Sequence, residues 1–267
     1  MRILFFGDVV GEIGLHSIEE ALPSLRKKLS ADFVIVNGEN TCKGNGLTHR
    51  EYKAFLDAGV DCITLGNHFR GRDQIDDYID RADSLIRPLN LRSYVYGSGT
   101  AVYEVAGTEI QVTNLLGQAF MKVDVDDPYS AFVDLLEDAA PIHIVDFHAD
   151  STSEKKMFFE IFKGRCTAVI GTHTHVQTAD ETIREGTGFL TDAGYCGMKD
   201  GIIGYEPTSV IRALIDKKPG RFEIASEGPT ELDFVVLDVD DRTGACRAIE
   251  PVRLVEGKEI CHVTHHL

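Results

Sequence analysis

Short apolar runs alternate along the chain with longer amphipathic stretches, the pattern of an α/β layered domain. Residues 3–6 read as a buried strand ending at Gly7-Asp8, and residues 12–28 as a helix. A second strand over 33–36 ends at Asn37-Gly38-Glu39-Asn40, and a third over 62–65 ends at Gly66-Asn67-His68. Between them, Thr48-His49-Arg50-Glu51 has the form of a capping box, in which Glu51 reaches back to the first turn. Gly59 then suits the left-handed position that closes that helix. Residues 100–116 read as a hairpin turning at Gly107-Thr108, and Pro128 as the start of a helix toward Ala139. A strand over 142–147 ends at His148. Ser151-Thr152-Ser153-Glu154 repeats the capping logic for a helix through Phe162, and residues 167–170 lead into Gly171-Thr172-His173-Thr174-His175. Strands over 234–239 and 246–254 form a last hairpin. Nothing resembling a linker or repeat intervenes, so residues 1–267 are read as one domain.

Charge narrows the partners. Against 43 acidic residues stand 27 Lys and Arg, a formal net charge of -16. A basic groove for long nucleic acid is not expected, because such affinity comes from cations neutralising phosphates. A small anion remains open if bound metal reverses the local field. The six cysteines, Cys42, Cys62, Cys166, Cys196, Cys246 and Cys261, form no CxxC pair and read as reduced thiols of a cytoplasmic protein. The first apolar run is too short for a signal peptide, and no stretch approaches the ~18 apolar residues of a membrane span, so no membrane partner is expected.

The polar residues at the strand ends carry the chemistry. Asp8, Glu39 with Asn40, Asn67 with His68, His148, and His173 with His175 each follow an apolar run. In open α/β sheets the ligand crevice lies outside the carboxyl ends of the strands. If these ends share an edge, two acids, two amides and four imidazoles converge. In extended backbone His173 and His175, one residue apart, would point to the same side. Nitrogen and oxygen donors without thiolate suit manganese, iron or zinc. Two divalent ions outweigh Asp8, Glu39 and a hydroxide between them, leaving a positive centre that attracts a phosphate ester and stabilises its transition state.

The ordered set Gly7-Asp8, Gly38-Glu39-Asn40, Gly66-Asn67-His68, His148 and Gly171-Thr172-His173-Thr174-His175 resembles the calcineurin-like metallophosphoesterases. More narrowly it resembles their YmdB-type branch, the 2′,3′-cyclic-nucleotide 2′-phosphodiesterases. Gly7-Asp8-Val9-Val10-Gly11, Val145-Asp146-Phe147-His148-Ala149, Ser153-Glu154-Lys155 and Val176-Gln177-Thr178-Ala179-Asp180 add to the likeness. The resemblance implies a four-layer α/β/β/α sandwich and two metal ions, iron or manganese first and zinc second. It implies that Asp8, Glu39, Asn40 and His175 hold one ion, and that Glu39 bridges to another held by Asn67, His148 and His173. His68 would meet the phosphate and protonate the leaving oxygen. Three positions depart from the broader superfamily: Val10 replaces a histidine, Glu39 followed by Asn40 replaces an aspartate, and Phe69 follows His68 where an acid is frequent.

Singly, each of these residues has an ordinary role: Asp8 and Asn67 as caps, Glu39 and Asn40 in a turn, His148 in a core. Together and in this order they predict metal-dependent phosphoester hydrolysis, and the resemblance implies a phosphodiesterase that opens 2′,3′-cyclic nucleotides to 3′-nucleotides. A broad phosphomonoesterase is the alternative within enzymes. A regulatory module that binds metal and nucleotide and acts through a protein partner is the alternative outside them. Other candidates read more simply. The Lys43, Gly44 and Gly46 loop touches phosphate or is a plain loop; Asp192 to Met198 is a glycine-rich turn; Arg70, Arg72 and Lys199 are surface charge; Cys42 and Cys196 are inert thiols. His262, His265 and His266 form a frayed tail. Substrate-binding residues and the oligomeric state, a homo-oligomer included, are left open.

Overall fold

Strands apolar on both faces need a packed layer on each side, and the computed structural model supplies them; it describes residues 1–216 and 222–259. The elements run β1 (Arg2–Val9), α1 (Gly11–Leu29), β2 (Phe33–Asn37), α2 (His49–Ala58), β3 (Cys62–Thr64), α3 (Ile75–Tyr78), β4 (Thr100–Val105), β5 (Thr108–Leu116), α4 (Pro128–Val133), β6 (Ile142–His148), α5 (Thr152–Phe162), β7 (Ala168–Thr172), β8 (Thr182–Arg184), β9 (Thr187–Leu190), β10 (Tyr195–Met198), α6 (Pro207–Leu214), β11 (Thr230–Val239), β12 (Cys246–Val255) and β13 (Lys258–Glu259). One sheet has the order β13-β12-β11-β10-β1-β2-β3, with β11 also pairing β1; the other has the order β4-β5-β6-β7-β9-β8. Strands β10, β1, β2 and β3 run parallel in the first, and β5, β6, β7 and β9 in the second.

Period-two alternation assigns the layers. Ile3, Phe5, Phe33, Ile35, Cys62, Ile110, Val112, Ile142, Ile144, Ala168 and Ile170 pack between the two sheets. Residues of opposite parity, Leu4, Phe6, Val34, Val36 and Ile63, pack outward on Leu15, Ile18 and Leu22 of α1 and Phe55 of α2. In the second sheet Val145, Phe147 and Val169 pack outward on Phe132 of α4 and Phe158, Phe159 and Phe162 of α5. The result is a four-layer α/β/β/α sandwich. Toward the carboxyl ends of the strands the inter-sheet face turns polar through Asn37, Thr64, Asn114, Asp146, His148 and Thr172, all fully buried. These groups satisfy one another across the gap: Thr64 Oγ1 and Asn37 Nδ2 donate to Asp146 Oδ2 at 2.5 and 3.1 Å, and the Leu65 N–H to Asn114 Oδ1 at 3.3 Å.

Several expectations shift in detail. Asp8 and His148 are residues of β1 and β6 themselves rather than of the loops that follow. The hairpin of β4 and β5 forms, and β5 continues as an interior strand alongside β6. The helix from Pro128 stops at Val133, where Asp127 caps its start through the N–H groups of Tyr129 and Ser130. Ser151 accepts from the Glu154 N–H, yet Glu154 turns away to accept from the Gln118 and Ala119 N–H groups, so that box is half-formed. The glycine-rich stretch from Asp192 contains a strand, β10. Helices α3 and α6 and strands β8 to β10 lie where no apolar periodicity was evident. No described helix is long and apolar enough to cross a membrane. The histidines at 262, 265 and 266 lie outside the described residues.

His143 on β6 is buried against Phe132, with ring centroids 5.1 Å apart. Its Nε2 meets Thr113 Oγ1 at 2.8 Å, whereas Nδ1 has no partner among the described residues. Burial pushes its pKa down from 6.5 to about 4. The unfolded chain therefore binds a proton between these values that the folded chain refuses. The stability held above pH 6.5 declines as pH falls toward 4, by up to about 1.4 kcal/mol per pH unit. His143→Leu is expected to flatten this decline by one proton, read as the change in urea midpoint between pH 7 and pH 4.5. An unchanged decline would contradict the assignment.

Candidate metal centre

The β1 strand ends with an irregularity that aims Asp8. Its register against β2 shifts between Phe6 and Asp8, and Gly7 lies so close to Gly194 that a Cβ would stand 2.1 Å from the Gly194 carbonyl. Bulges of this kind re-aim side chains beside functional sites. Asp8 thereby turns toward the second sheet, where its Oδ2 accepts the His173 N–H at 3.0 Å. Glu39 and Asn40 follow β2, Asn67 and His68 follow β3, His148 ends β6, and His173 and His175 follow β7. The two histidines are not in extended backbone: their φ values are 103° and 60°. Left-handed backbone at such residues is costly and is held only by surrounding contacts.

The most informative contact is at His148 Nε2. It stands 3.0 Å from Asn67 Oδ1, 3.1 Å from Glu39 Oε1 and 3.1 Å from His173 Nδ1. A ring nitrogen carries at most one proton, so with the His173 proton on Nε2 it satisfies at most one of the three lone pairs that face it. One cation among these atoms would satisfy all of them, and Glu39, His148 and His173 meet the spacing of a metal site. The floor is kept open by Gly66, where a Cβ would stand 2.3 Å from Glu39 Oε2 and 2.4 Å from His148 Nε2. The residue set therefore fits a metal ion.

The other half is looser. His175 Nε2 lies 3.8 Å from Asp8 Oδ1 and 3.2 Å from Asn40 Nδ2. Asn40 Nδ2 also donates to Glu39 Oε1 at 3.2 Å. In this pose the amide nitrogen faces the acceptors; presenting its oxygen to a cation requires the amide to rotate. Val10 is buried and packs under Gly204.

Burial opposes charge on Glu39 and His148, but each neutralises the other. The His148 charge and hydrogen bond, with His68, hold Glu39 below the usual carboxylate range, and Glu39, Asp8 and Asp146 hold His148 above the usual imidazole range. Burial, against His175 and His148, pushes Asp8 up. Burial and the neighbouring His148 charge push His173 down to about 4, so it is neutral at pH 7 with one ring-nitrogen lone pair to offer.

Supporting residues lie just outside. His148 Nδ1 meets Thr172 Oγ1 at 2.9 Å, and that hydroxyl donates to Asp146 Oδ1 at 2.6 Å. With Nδ1 engaged in this relay, Nε2 is the nitrogen left to face a ligand. Lys155, wholly buried, donates to the Thr172 carbonyl and to Asp192 Oδ2, both at 2.8 Å. Asp192 in turn accepts the Thr174 N–H at 3.1 Å and the Gly194 N–H at 2.9 Å, so one ion pair braces the turn that carries both histidines. The His175 ring is fixed by Nδ1 to the Ile203 carbonyl at 2.9 Å. Functional roles for Asp146, Thr172, Lys155, Asp192 and Ile203 were not read from the sequence. Parity would have found two of them: Asp146 and Thr172 continue the inter-sheet face of β6 and β7.

Other sequence candidates are engaged elsewhere. Arg70 pairs with Asp76 at 2.8 Å, Lys199 lies 3.6 Å from Asp200, and Arg72 donates to the Cys42 carbonyl at 2.7 Å and to its Sγ at 3.1 Å. Burial pushes the Cys196 thiol well up, which suits an inert side chain. His68 contributes its N–H to Glu39 Oε2 at 2.8 Å; its ring is half-buried and has no hydrogen-bond partner among the described residues.

Residues 4–252 match a protein family described as YmdB-like protein. The chain is 42% identical over 256 residues, 94% of its length and 96% of the relative's, to the 2′,3′-cyclic-nucleotide 2′-phosphodiesterase of Bacillus subtilis. A crystal structure of a novel phosphatase from Mycoplasma pneumoniae superposes with TM-score 0.90 at 36% identity, covering 96% of this chain and 93% of that one. Haemophilus influenzae NAD nucleotidase shares the fold alone, with TM-score 0.54 at 14% identity, covering 97% of this chain and 59% of its own.

Asp146→Asn keeps the size of the side chain but removes an acceptor from the relay to His148. Affinity for manganese is expected to fall by about 10–100-fold, measured by calorimetric titration of metal-stripped protein. Unchanged affinity would remove Asp146 from the account.

Proposed function

This chain belongs to the YmdB-like family, and from that premise we propose that it is a metal-dependent phosphodiesterase acting on 2′,3′-cyclic nucleotides to give 3′-nucleotides. The observation that carries the reading is the meeting of three lone pairs at His148 Nε2, which a cation satisfies and a single proton does not. In this reading Asp8, Glu39, Asn40 and His175 hold one ion, and Glu39, Asn67, His148 and His173 the other. The donors are oxygen and imidazole nitrogen with no thiolate, which favours iron or manganese, with zinc next.

When bound, such a pair supplies a water acidic enough to ionise near neutral pH and positive charge for the phosphoryl oxygens. The protein does the rest. Glu39 uses one oxygen toward His148 and the other to accept the His68 N–H, which fixes where His68 begins. The free His68 ring then holds a proton for the departing 2′ oxygen. His173 and His175 are kept in place by the left-handed turn and its Lys155–Asp192 brace, so little reorganisation accompanies substrate arrival.

A net charge of -16 opposes long polyanions, while a local cationic centre still admits one small phosphate. Cys42, Cys62, Cys166, Cys196 and Cys246 are all free thiols, which supports a cytoplasmic location.

Chelator-stripped protein is expected to lose turnover of 2′,3′-cyclic AMP and regain it with manganese or iron. His68→Ala is expected to retain its metal by elemental analysis while losing about 10²–10⁴-fold in kcat. Full turnover by stripped protein would overturn the metal-dependent reading, and undiminished turnover by His68→Ala would overturn the role of His68.

A further inference from the structure

The Asn40–His175 side of the centre is walled by a tight turn whose Ile203 carbonyl fixes His175 and whose Tyr205 has no role in the reading above. Ile202 and Tyr205 exchange backbone hydrogen bonds at 2.8 and 3.0 Å. Between them, the Ile203 carbonyl holds His175 Nδ1 at 2.9 Å. Gly204, at φ 92°, lies on Val10 so closely that a Cβ would come 2.5 Å from the Val10 side chain. Val10 is thus the seat of this turn.

The turn delivers Tyr205 to the loop that follows Glu39 and Asn40. Its hydroxyl lies 3.4 Å from where a Cβ on Gly44 would stand, and its ring meets Phe222 edge-on with centroids 5.5 Å apart. Tyr205 is half-buried, and its hydroxyl has no hydrogen-bond partner among the described residues. Nor have the backbone N–H groups of Lys43 and Gly44 beside it. Glu39 is the charged group that acts on the phenol; burial and that negative charge both raise its pKa, so it remains a donor at neutral pH. Packing against Phe222 alone would be served equally by phenylalanine. The hydroxyl is not sealed from solvent, so no protein acceptor has to be displaced before it donates to one that arrives with a ligand.

We propose that Tyr205 is a substrate-binding residue whose hydroxyl donates a hydrogen bond to a phosphoryl oxygen of the ester at the metal centre. It acts from the Asn40 side, while His68 acts from the Asn67 side. The Lys43–Gly44 turn, with two free N–H groups and an exposed ammonium, borders the same place and favours an anion there. The assignment rests on the phosphodiesterase reading for the identity of the substrate, but binding of the phosphoryl group can be measured without turnover.

The test compares wild type with Tyr205→Phe, both loaded with manganese and matched for metal content. Tyr205→Phe keeps the ring and its packing, so the melting temperature is expected to be unchanged. The dissociation constant of orthophosphate, read by calorimetry, is expected to rise about 10–100-fold, the worth of one hydrogen bond to a charged group. The KM for 2′,3′-cyclic AMP is expected to rise with it, and kcat to change less. Tyr205→Phe with wild-type affinity for orthophosphate would overturn the proposal, whether or not the enzyme turns over cyclic nucleotides. Absent turnover by wild type alongside weakened orthophosphate binding in Tyr205→Phe would instead count against the substrate reading and uphold Tyr205.

Discussion

A buried nitrogen surrounded by more lone pairs than it has protons is the constraint on which this site depends. His148 Nε2, wholly inaccessible to water, faces Glu39, Asn67 and His173 at 3.0–3.1 Å. Asn40 Nδ2 relieves Glu39 Oε1 at 3.2 Å, and any of these acceptors left without a donor costs on the order of 1–3 kcal/mol. A fold retains such an arrangement when something else completes it. A proton shared between Glu39 and His148 is a partial answer, and a metal ion is a full one.

The sandwich makes that crowding bearable. Each central strand is apolar for most of its length and turns polar only in its last residues, so the core between the sheets grades into the site without a break. Asn37, Thr64 and Thr172 all donate to the carboxylate of Asp146, which joins the two sheets at the depth where apolar packing ends. Farther out, Lys155 and Asp192 tie α5, β7 and the turn before β10 together. A buried ion pair of this kind is weak evidence for stability in itself. Its value lies in fixing the Thr172 carbonyl and Thr174 N–H, so that the strained turn between them keeps two imidazoles aimed at the centre.

Much of this was legible in the chain. The alternation of apolar runs and amphipathic stretches indicated the layers, and the position of Asp8, Glu39, Asn67, His148 and His173 beside strand ends indicated the crevice. What stayed hidden depended on backbone detail or on distant partners. The re-aiming of Asp8 comes from a register shift that leaves no periodic trace. His173 and His175 reach the site through left-handed backbone, which the residue types do not encode. Asp146 reads as one more polar residue until its parity is compared with His148, and Asp192 becomes informative only when Lys155, 37 residues away, is found beside it. Tyr205 lies in a segment without apolar rhythm, outside every element read from the sequence.

The most direct test is an anomalous-scattering map from crystals of the protein loaded with manganese. The account predicts two peaks about 3.5–4 Å apart, flanking Glu39, one beside His148 and His173 and the other beside Asp8 and His175. No peak among these side chains, in protein shown by elemental analysis to carry manganese, would contradict it.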